Sequence, residues 1–167
     1  DGNFVAVIDI ESPEAGDVVK LDVDGTIIWT YSLDTGEHDG VLDMVPTETS
    51  GVVLLTVDYA DAQKTTQTSK FLGPPPSARL LRLAGDGTEM WSVALPSNLD
   101  YAEQIEPTND GGVAIFALDR IAIVDENGQS GWNKEFLPKH TAGPFSFSAA
   151  PQGGFIVGTS SATVNLF

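Results

Sequence analysis

The chain has no cysteine among its 167 residues. This excludes a disulfide framework, a thiolate zinc site, an iron–sulfur cluster and a cysteine nucleophile. Basic residues are also few: eight Lys and Arg against 24 Asp and Glu give a net charge of -16, and such a field repels phosphate backbones and anionic membrane surfaces. We therefore expect no nucleic-acid partner and interpret the charge as a solvated acidic exterior, with cation binding as the alternative.

Long apolar segments are absent too. No run approaches the roughly 18 residues of a membrane-spanning helix, and the N-terminus has neither the basic nor the apolar region of a signal peptide. The chain begins with Asp1, which indicates processing, excision or an incomplete chain, so we expect any targeting segment to lie outside it. Helical periodicity over three turns, uninterrupted by Gly or Pro, is also missing, and the sequence predicts an all-β protein.

What the chain does have is a repeat built around its tryptophans. Each follows a glycine turn by four residues, in DVDGTIIW, AGDGTEMW and DENGQSGW. A phrase that recurs with its turn and its aromatic residue in register marks a repeated supersecondary unit. The three pairs of turn glycine and tryptophan are Gly25 with Trp29, Gly87 with Trp91, and Gly128 with Trp132.

A second phrase precedes two of the tryptophan phrases. In Met44 to Val57 and in Ile105 to Leu118, a proline is followed five residues later by a glycine and then by an apolar strand. Ala149 to Ser160 is a shorter version, and Asp1 to Ile10 resembles the same phrase without its beginning. Val-, Ile-, Phe- and Thr-rich runs bounded by Gly, Pro, Asn and Asp are typical of short strands joined by tight turns.

In register, one unit has four strands: a first that ends in a Pro-Thr turn, a second of continuous apolar residues, a third, and a fourth that carries the tryptophan. The Asp-Gly or Asn-Gly turn between the third and fourth strands is a strong hairpin signal. A four-stranded antiparallel meander with a period of about 40 residues is typical of a β-propeller blade. The predicted third strands are Asp17 to Val23, Ala78 to Ala84, Arg120 to Glu126 and Ala162 to Phe167.

The predicted segment spans residues 1–167 and contains about 3.5 blades. Its parts are a partial blade 1–34, a blade 37–96 with an insertion at 59–77, a blade 98–137 and a partial blade 141–167. The strands number three, four, four and three, and the end blades do not complete each other, because one lacks a first strand and the other a fourth. We therefore expect a larger ring, or strands from another chain, with the edges at Asp1 and Phe167 paired with other polypeptide.

The insertion, Tyr59 to Ser77, lies between a second and a third strand. It is polar at first and ends in an apolar pair followed by three prolines, which predict a stiff polyproline return. Long loops in compact domains are often functional or disordered, and on the first interpretation this loop is the predicted contact surface. A smaller excursion, Glu11 to Gly16, occupies the matching place one blade earlier. The candidate contact residues are Phe71, Leu72, Pro74, Pro75 and Pro76.

The pattern of a GG-led apolar strand followed by an LD-x-DG-x-x-x-W strand resembles the pyrroloquinoline-quinone-type propeller repeats and the related DGG repeats of bacterial surface and secreted proteins. The resemblance implies that Trp29, Trp91 and Trp132 pack between neighbouring blades. It also implies a family of quinoprotein dehydrogenases, outer-membrane assembly scaffolds and binding repeats. The dehydrogenases need a quinone cofactor, a calcium ion, a catalytic aspartate and often a cysteine pair. This chain has no cysteine and no matching aspartate signature, so we assign no catalytic, cofactor-binding or metal-binding residue.

Some residues allow a second interpretation. The turn residues Asp22, Asp24, Asp125, Glu126 and Asn127 alternate oxygen ligands beside a glycine, as a calcium loop does. An EF-hand would place a glutamate twelfth from Asp22, where Leu33 stands, so hairpin turns are the preferred interpretation and calcium the alternative. The glycine pairs at Gly111 and Gly153 precede strands rather than helices and are expected to be turn glycines.

The histidines and several aromatic residues also allow two interpretations. His38 and His140 lie in loops between blades, where a neighbouring Glu37 or Asp39 would allow a metal site or a base, although isolated loop histidines are more often simple surface residues. Aromatic residues could line a groove for a glycan or peptide, or fill the space between blades, and for Phe145 and Phe147 the second interpretation is preferred. The aromatic candidates are Tyr31, Tyr101, Phe145 and Phe147.

The resulting functional hypothesis is a noncatalytic binding or scaffold module, extracellular, on the cell surface or periplasmic, that contacts a protein or glycan through its rim loops. The alternative is a segment of a quinoprotein-like propeller oxidoreductase whose active site lies mostly outside these residues. The oxidoreductase alternative predicts acidic and aromatic side chains with a bound cofactor at the centre of the ring. The scaffold hypothesis predicts a centre filled with water.

Overall fold

The computed structural model describes residues 2–9, 16–33, 40–58, 77–99, 101–117, 120–135, 146–150, 154–158 and 165–166. Within these ranges the secondary structure is strand, apart from one short 3-10 turn at Ser97–Leu99. No helix there is long and apolar enough to cross a membrane. The predicted all-β class is confirmed.

The described strands form four antiparallel sheets, which we call blades 1 to 4, with three, four, four and three strands. Each blade is a meander, since consecutive strands are hydrogen-bonded neighbours. Blade 1 has β1 (Phe4–Asp9), β2 (Gly16–Leu21) and β3 (Ile27–Ser32), and blade 2 has β4 (Gly40–Pro46), β5 (Val52–Asp58), β6 (Ser77–Leu83) and β7 (Glu89–Ala94). Blade 3 has β8 (Ala102–Pro107), β9 (Val113–Ala117), β10 (Arg120–Val124) and β11 (Ser130–Glu135), and blade 4 has β12 (Ser146–Ala149), β13 (Phe155–Gly158) and β14 (Asn165–Leu166).

Several predicted boundaries differ from the structure. The predicted third strands extend by one or two residues into the turns that follow, since β2 ends at Leu21, β6 at Leu83 and β10 at Val124. The sequence predicts that the insertion in blade 2 includes Ser77, but Ser77 is the first residue of β6 and lies opposite Asp58 of β5. The strand β6 therefore begins directly after the three prolines, and the serine that follows them belongs to the sheet rather than to the loop.

The first strands lie at the inside of the arc. Across neighbouring blades, β4 contacts β8, and β8 contacts β12. The fourth strand is at the outside, since all six residues of β11 are exposed. Sheets that converge at their first strands and diverge at their fourth strands are arranged radially, as propeller blades are.

The core lies between the blades rather than within any one of them. Successive side chains of a strand point to opposite faces of the sheet. In β5, Val52 and Leu54 pack towards blade 1, whereas Val53 and Leu55 pack towards blade 3. Because both faces of the sheet are covered, the second strand is apolar at successive positions, which explains the run of Val and Leu from Val52 to Leu55.

The meander divides the connections between two rims. Turns between the first and second strands and between the third and fourth strands lie at one end of each blade, which we call the turn rim. Connections between the second and third strands, and those from one blade to the next, start and end at the opposite end, the loop rim. The long segment 59–76 joins β5 to β6, so the strand ends that flank it belong to the loop rim.

Candidate functional site

The hairpin turns of the turn rim are capped by their own aspartates. Asp22 Oδ1 accepts hydrogen bonds from the backbone N–H groups of Asp24 (2.9 Å) and Thr26 (2.8 Å). Asp125 Oδ1 accepts equivalent bonds from Asn127 (2.9 Å) and Gln129 (2.8 Å). These oxygens therefore hold turn backbone, and no group of three or more potential metal-ligating side chains is found within the described ranges.

The middle turn is capped from a different position, since Ala84 stands where the other two turns have Asp22 and Asp125. Asp86 Oδ1 accepts from the backbone N–H of Thr88 at 3.0 Å and from its hydroxyl at 2.7 Å. Both bonds favour the charged carboxylate, and they lower the pKa of Asp86 below its ordinary value. The glycine of each turn takes the left-handed conformation: φ is 82° at Gly25, 86° at Gly87 and 79° at Gly128.

Two of the tryptophans lie against the turn of the following blade. Trp29 of blade 1 donates a hydrogen bond from Nε1 to Gly85 O (3.0 Å), and Trp91 of blade 2 donates from Nε1 to Glu126 O (2.9 Å). The rings cover the turn glycines closely. A Cβ added to Gly87 would lie 2.8 Å from Trp29 Cδ2, and one added to Gly128 would lie 3.0 Å from Trp91 Cδ2.

A buried cation accompanies each of these tryptophans on the neighbouring strand. Lys20 lies opposite Trp29, and its Nζ donates to Ser50 O (2.9 Å) and Gly85 O (3.1 Å). Lys20 is only 6% exposed. One lysine thus joins both turns of the next blade at the turn rim.

Arg82 does the same between blades 2 and 3. It lies opposite Trp91, is 6% exposed, and donates from Nη1 to Glu126 O (2.6 Å) and Gly111 O (3.4 Å). We call each tryptophan and its cation a docking pair: Trp29 with Lys20, and Trp91 with Arg82. The acceptors are backbone carbonyls, so docking depends on the shape of the receiving turn rather than on its side chains.

The cations of the docking pairs were missed by the sequence analysis, although a signal was present. Lys20 and Arg82 occupy the same register position in two third strands, each directly after two apolar residues, in VVKL and LLRL. A long basic side chain repeated in such a strand indicates a buried acceptor. The corresponding position in blade 3 is Ile123, which packs with Phe155 on an apolar cluster between blades 3 and 4.

Trp132 has different surroundings from the other two tryptophans. It stands on the outer strand β11 with 50% of its surface exposed. Within the part of the chain that the structure describes, no hydrogen bond of its indole is found. The predicted packing of Trp132 between blades therefore stays a prediction.

The inner strands carry a second contact between blades. Asp43 of β4 accepts a hydrogen bond at Oδ2 from the backbone N–H of Ile105 in β8 (2.8 Å). Glu106 is close by and accepts from Gln104 Nε2 (3.4 Å). Burial, followed by repulsion from Asp43, raises the pKa of Glu106 above its ordinary value. The inner face of blades 2 and 3 is thus acidic.

The aromatic candidates fall in different places. The Tyr31 hydroxyl of β3 donates to Glu89 Oε2 of β7 at 2.6 Å, which ties the outer strands of blades 1 and 2 together. Burial and the neighbouring carboxylate raise the pKa of Tyr31 to about 12. Tyr101 is 56% exposed. Phe147 belongs to β12, but its side chain, like the whole of Phe145, lies outside the described residues.

The predicted contact loop also lies outside the described residues. This holds for Phe71, Leu72 and Pro74 to Pro76, and for the two histidines, His38 and His140. The structure does describe the strands that these segments connect, and all of those strand ends belong to the loop rim.

Comparison with known proteins decides the fold. Hydrazine synthase of Kuenenia stuttgartiensis superposes with a TM-score of 0.71 at 13% identity, over 99% of this chain and 55% of that one. The fold is a β-propeller. A streptogramin B lyase (TM-score 0.60, 12% identity, 99% and 58% covered) and BamB from Moraxella catarrhalis (0.56, 14%, 94% and 44%) have the same propeller architecture.

The propeller spans about half the length of these solved structures. No protein-family model matches it, and no curated protein does. At such low sequence identities the structural similarity shows the fold but does not show the activity.

Proposed function

We propose that this propeller segment is a noncatalytic binding or scaffold module of the pyrroloquinoline-quinone or DGG repeat type. It contacts a protein or glycan partner through the loop rim and acts outside the cell, at its surface or in the periplasm. Its 1–167 segment forms one unit of four consecutive blades, and the contact residues are those of the 59–76 segment, with Phe71, Leu72 and the three prolines at their centre.

The observation that supports this proposal is that the packing contacts between blades and the loops of variable length lie on different rims. Both docking pairs act at the turn rim, where Lys20 and Arg82 each bind two turns of the next blade. The turns there are short and their carbonyls are used for packing. The connections at the loop rim vary from two residues, 118–119 in blade 3, to the whole of 59–76 in blade 2. Length variation at one end with fixed packing at the other is the arrangement in which loops can diversify for binding.

A site-specific photocrosslinker tests the contact surface. We expect a photoreactive amino acid at position 71 to form adducts with a partner in the organism that makes the protein. The matched control is the same amino acid at Met90, which is 55% exposed on the outer strand β7 and should form none. Equal adducts at both positions, or adducts at Met90 alone, would contradict the proposal.

A loop exchange tests whether the insertion is needed for folding. Residues 59–76 are replaced by Leu-Asp, the connection that blade 3 uses at 118–119. We expect the far-ultraviolet circular dichroism and the unfolding midpoint to be retained while the adduct partner is no longer captured by the purified chain. Visible absorbance of a bound quinone in the purified full-length protein would favour the oxidoreductase alternative instead.

A further inference from the structure

The sequence contains one Asn-Gly pair, Asn127–Gly128, and it lies in the hairpin turn between β10 and β11 of blade 3. Glycine has no Cβ to obstruct the approach of its nitrogen to the preceding side chain. The nitrogen of Gly128 can therefore attack the side-chain carbonyl carbon of Asn127, with loss of ammonia and formation of a five-membered succinimide ring. Water then opens the ring at either of its two carbonyl carbons, which gives aspartate or isoaspartate. The reaction needs no reagent other than water.

The ordered turn holds Gly128 away from this reaction. Its backbone N–H donates to Asp125 O at 3.1 Å, and the backbone N–H of Asn127 donates to Asp125 Oδ1 at 2.9 Å. The attacking nitrogen must lose its proton and turn towards the side chain of Asn127, so these hydrogen bonds must first break. Asn127 itself is exposed, and its protection is therefore conformational. The reaction proceeds from an opened turn, and its rate follows the population of that open state.

The docking pair of blade 2 lies against this turn and resists its opening. Trp91 Nε1 and Arg82 Nη1 both donate to the carbonyl of Glu126, at 2.9 Å and 2.6 Å. Glu126 directly precedes Asn127 in the turn. The indole covers Gly128 so closely that a Cβ there would lie 3.0 Å from Trp91 Cδ2. Opening the turn therefore requires that these contacts between blades 2 and 3 are broken.

We propose that Asn127–Gly128 is a deamidation site that the docking pair protects, so that the turn is modified where blades 2 and 3 have separated. The other two hairpin turns have aspartate at the equivalent position, Asp24 and Asp86, so the aspartate product fits the turn. The isoaspartate product lengthens the main chain by one carbon ahead of Gly128 and moves this glycine away from the indole. Formation of isoaspartate thus prevents docking from being restored. The site goes beyond the function proposed above, because it uses no residue of the loop rim.

The first experiment measures deamidation of the folded 167-residue chain in mildly alkaline buffer, by mass spectrometry of the peptide that contains Asn127. We expect Trp91→Ala to deamidate about tenfold faster than the wild type, since loss of the ring and its hydrogen bond raises the open population by the equivalent of about 1.4 kcal/mol. The matched control is Trp29→Ala, which removes the equivalent docking contact one blade earlier. Its rate at Asn127 should equal that of the wild type.

A second variant covers the case in which Trp91→Ala does not fold. Arg82→Met keeps the indole and removes two hydrogen bonds to the turns of blade 3, so we expect deamidation about fivefold faster than in the wild type. Circular dichroism establishes that each variant is folded under the conditions of the assay. Equal rates in the wild type and in the folded docking variants would overturn the proposal. An equal increase in Trp29→Ala would also overturn it, because the reaction would then follow global unfolding.

A third measurement compares the two products. Asn127→Asp should have an unfolding midpoint close to that of the wild type, since aspartate occupies this position in the other hairpin turns. The isoaspartate chain, prepared by deamidation in urea, purified and refolded, should have a lower midpoint. Equal midpoints for these two chains would contradict the predicted loss of docking. None of these results bears on crosslinking at position 71, so this proposal and the proposed function fail separately.

Discussion

The turns at Gly25 and at Gly87 have the same backbone and different surroundings. Both glycines are left-handed, and both follow an aspartate that caps the turn. The turn at Gly87 receives Trp29 and Lys20 from the preceding blade, whereas nothing lies within 4 Å of a Cβ built at Gly25. The local turn is therefore set by its own residues, and docking is an additional property that only a preceding blade supplies.

The largest difference is expected between two tryptophans. Trp91→Ala should destabilise the chain by about 2–3 kcal/mol, because it removes ring packing on Gly128 and a hydrogen bond. Trp132→Ala should cost less than about 1 kcal/mol, as exposed substitutions do. Urea unfolding followed by circular dichroism measures both. Equal costs would mean that the docking contact of Trp91 adds nothing.

Substitutions at the two turn glycines distinguish the stability cost of backbone strain from the stability cost of lost docking. Gly25→Ala should cost about 1 kcal/mol through its left-handed φ alone. Gly87→Ala should cost about 1–2 kcal/mol more, since its Cβ would lie 2.8 Å from Trp29. In a Trp29→Ala background the excess should disappear. Thermal unfolding of the four variants gives the comparison, and an excess that survives loss of the ring would contradict it.

Replacing the buried cation Arg82 is expected to have a smaller effect on stability. Arg82→Met keeps the side-chain volume and removes two hydrogen bonds, so we expect a loss of about 1 kcal/mol. Ile123→Met at the equivalent position of blade 3 should cost no more than a volume-conserving core exchange, below about 1 kcal/mol. Chemical denaturation measures both variants. A neutral or stabilising Arg82→Met would show that desolvating the guanidinium offsets its bonds to the turns.

The smallest effect is expected at high pH. The pKa of Tyr31 is raised to about 12 in the folded chain, from 10.0, so the folded state holds the proton more tightly. The stabilisation by this group is complete below pH 10 and is lost as the pH rises through 12. The unfolding midpoint of the wild type should fall more steeply than that of Tyr31→Phe across this interval. Parallel curves would argue against the bond to Glu89.

Much of this fold could be predicted from the sequence because it is encoded locally. An Asp-Gly turn with its capping aspartate, and an apolar strand after Pro-Thr, each need only a few adjacent residues. The strand count and the order within each sheet follow from repeating them. The bonds of Lys20 to Ser50 and Gly85 join residues 30 and 65 positions apart, and no local pattern specifies such partners.

The candidate site was less predictable for the same reason. In the sequence Asp43 is an ordinary acidic residue of a strand. In the structure its carboxylate accepts a hydrogen bond from the backbone N–H of Ile105 in another blade. The contact residues at 71–76 were chosen for loop length and proline content, and they stay a prediction.

The docking pairs have a direction. Each donor belongs to one blade and each acceptor to the blade that follows, so the contact is heterologous and never self-complementary. Head-to-tail contacts generate a closed circle when the rotation between units divides a full turn, and an open spiral when it does not. The angle that Trp29 and Lys20 impose on the next turn therefore fixes how many units a complete particle can hold.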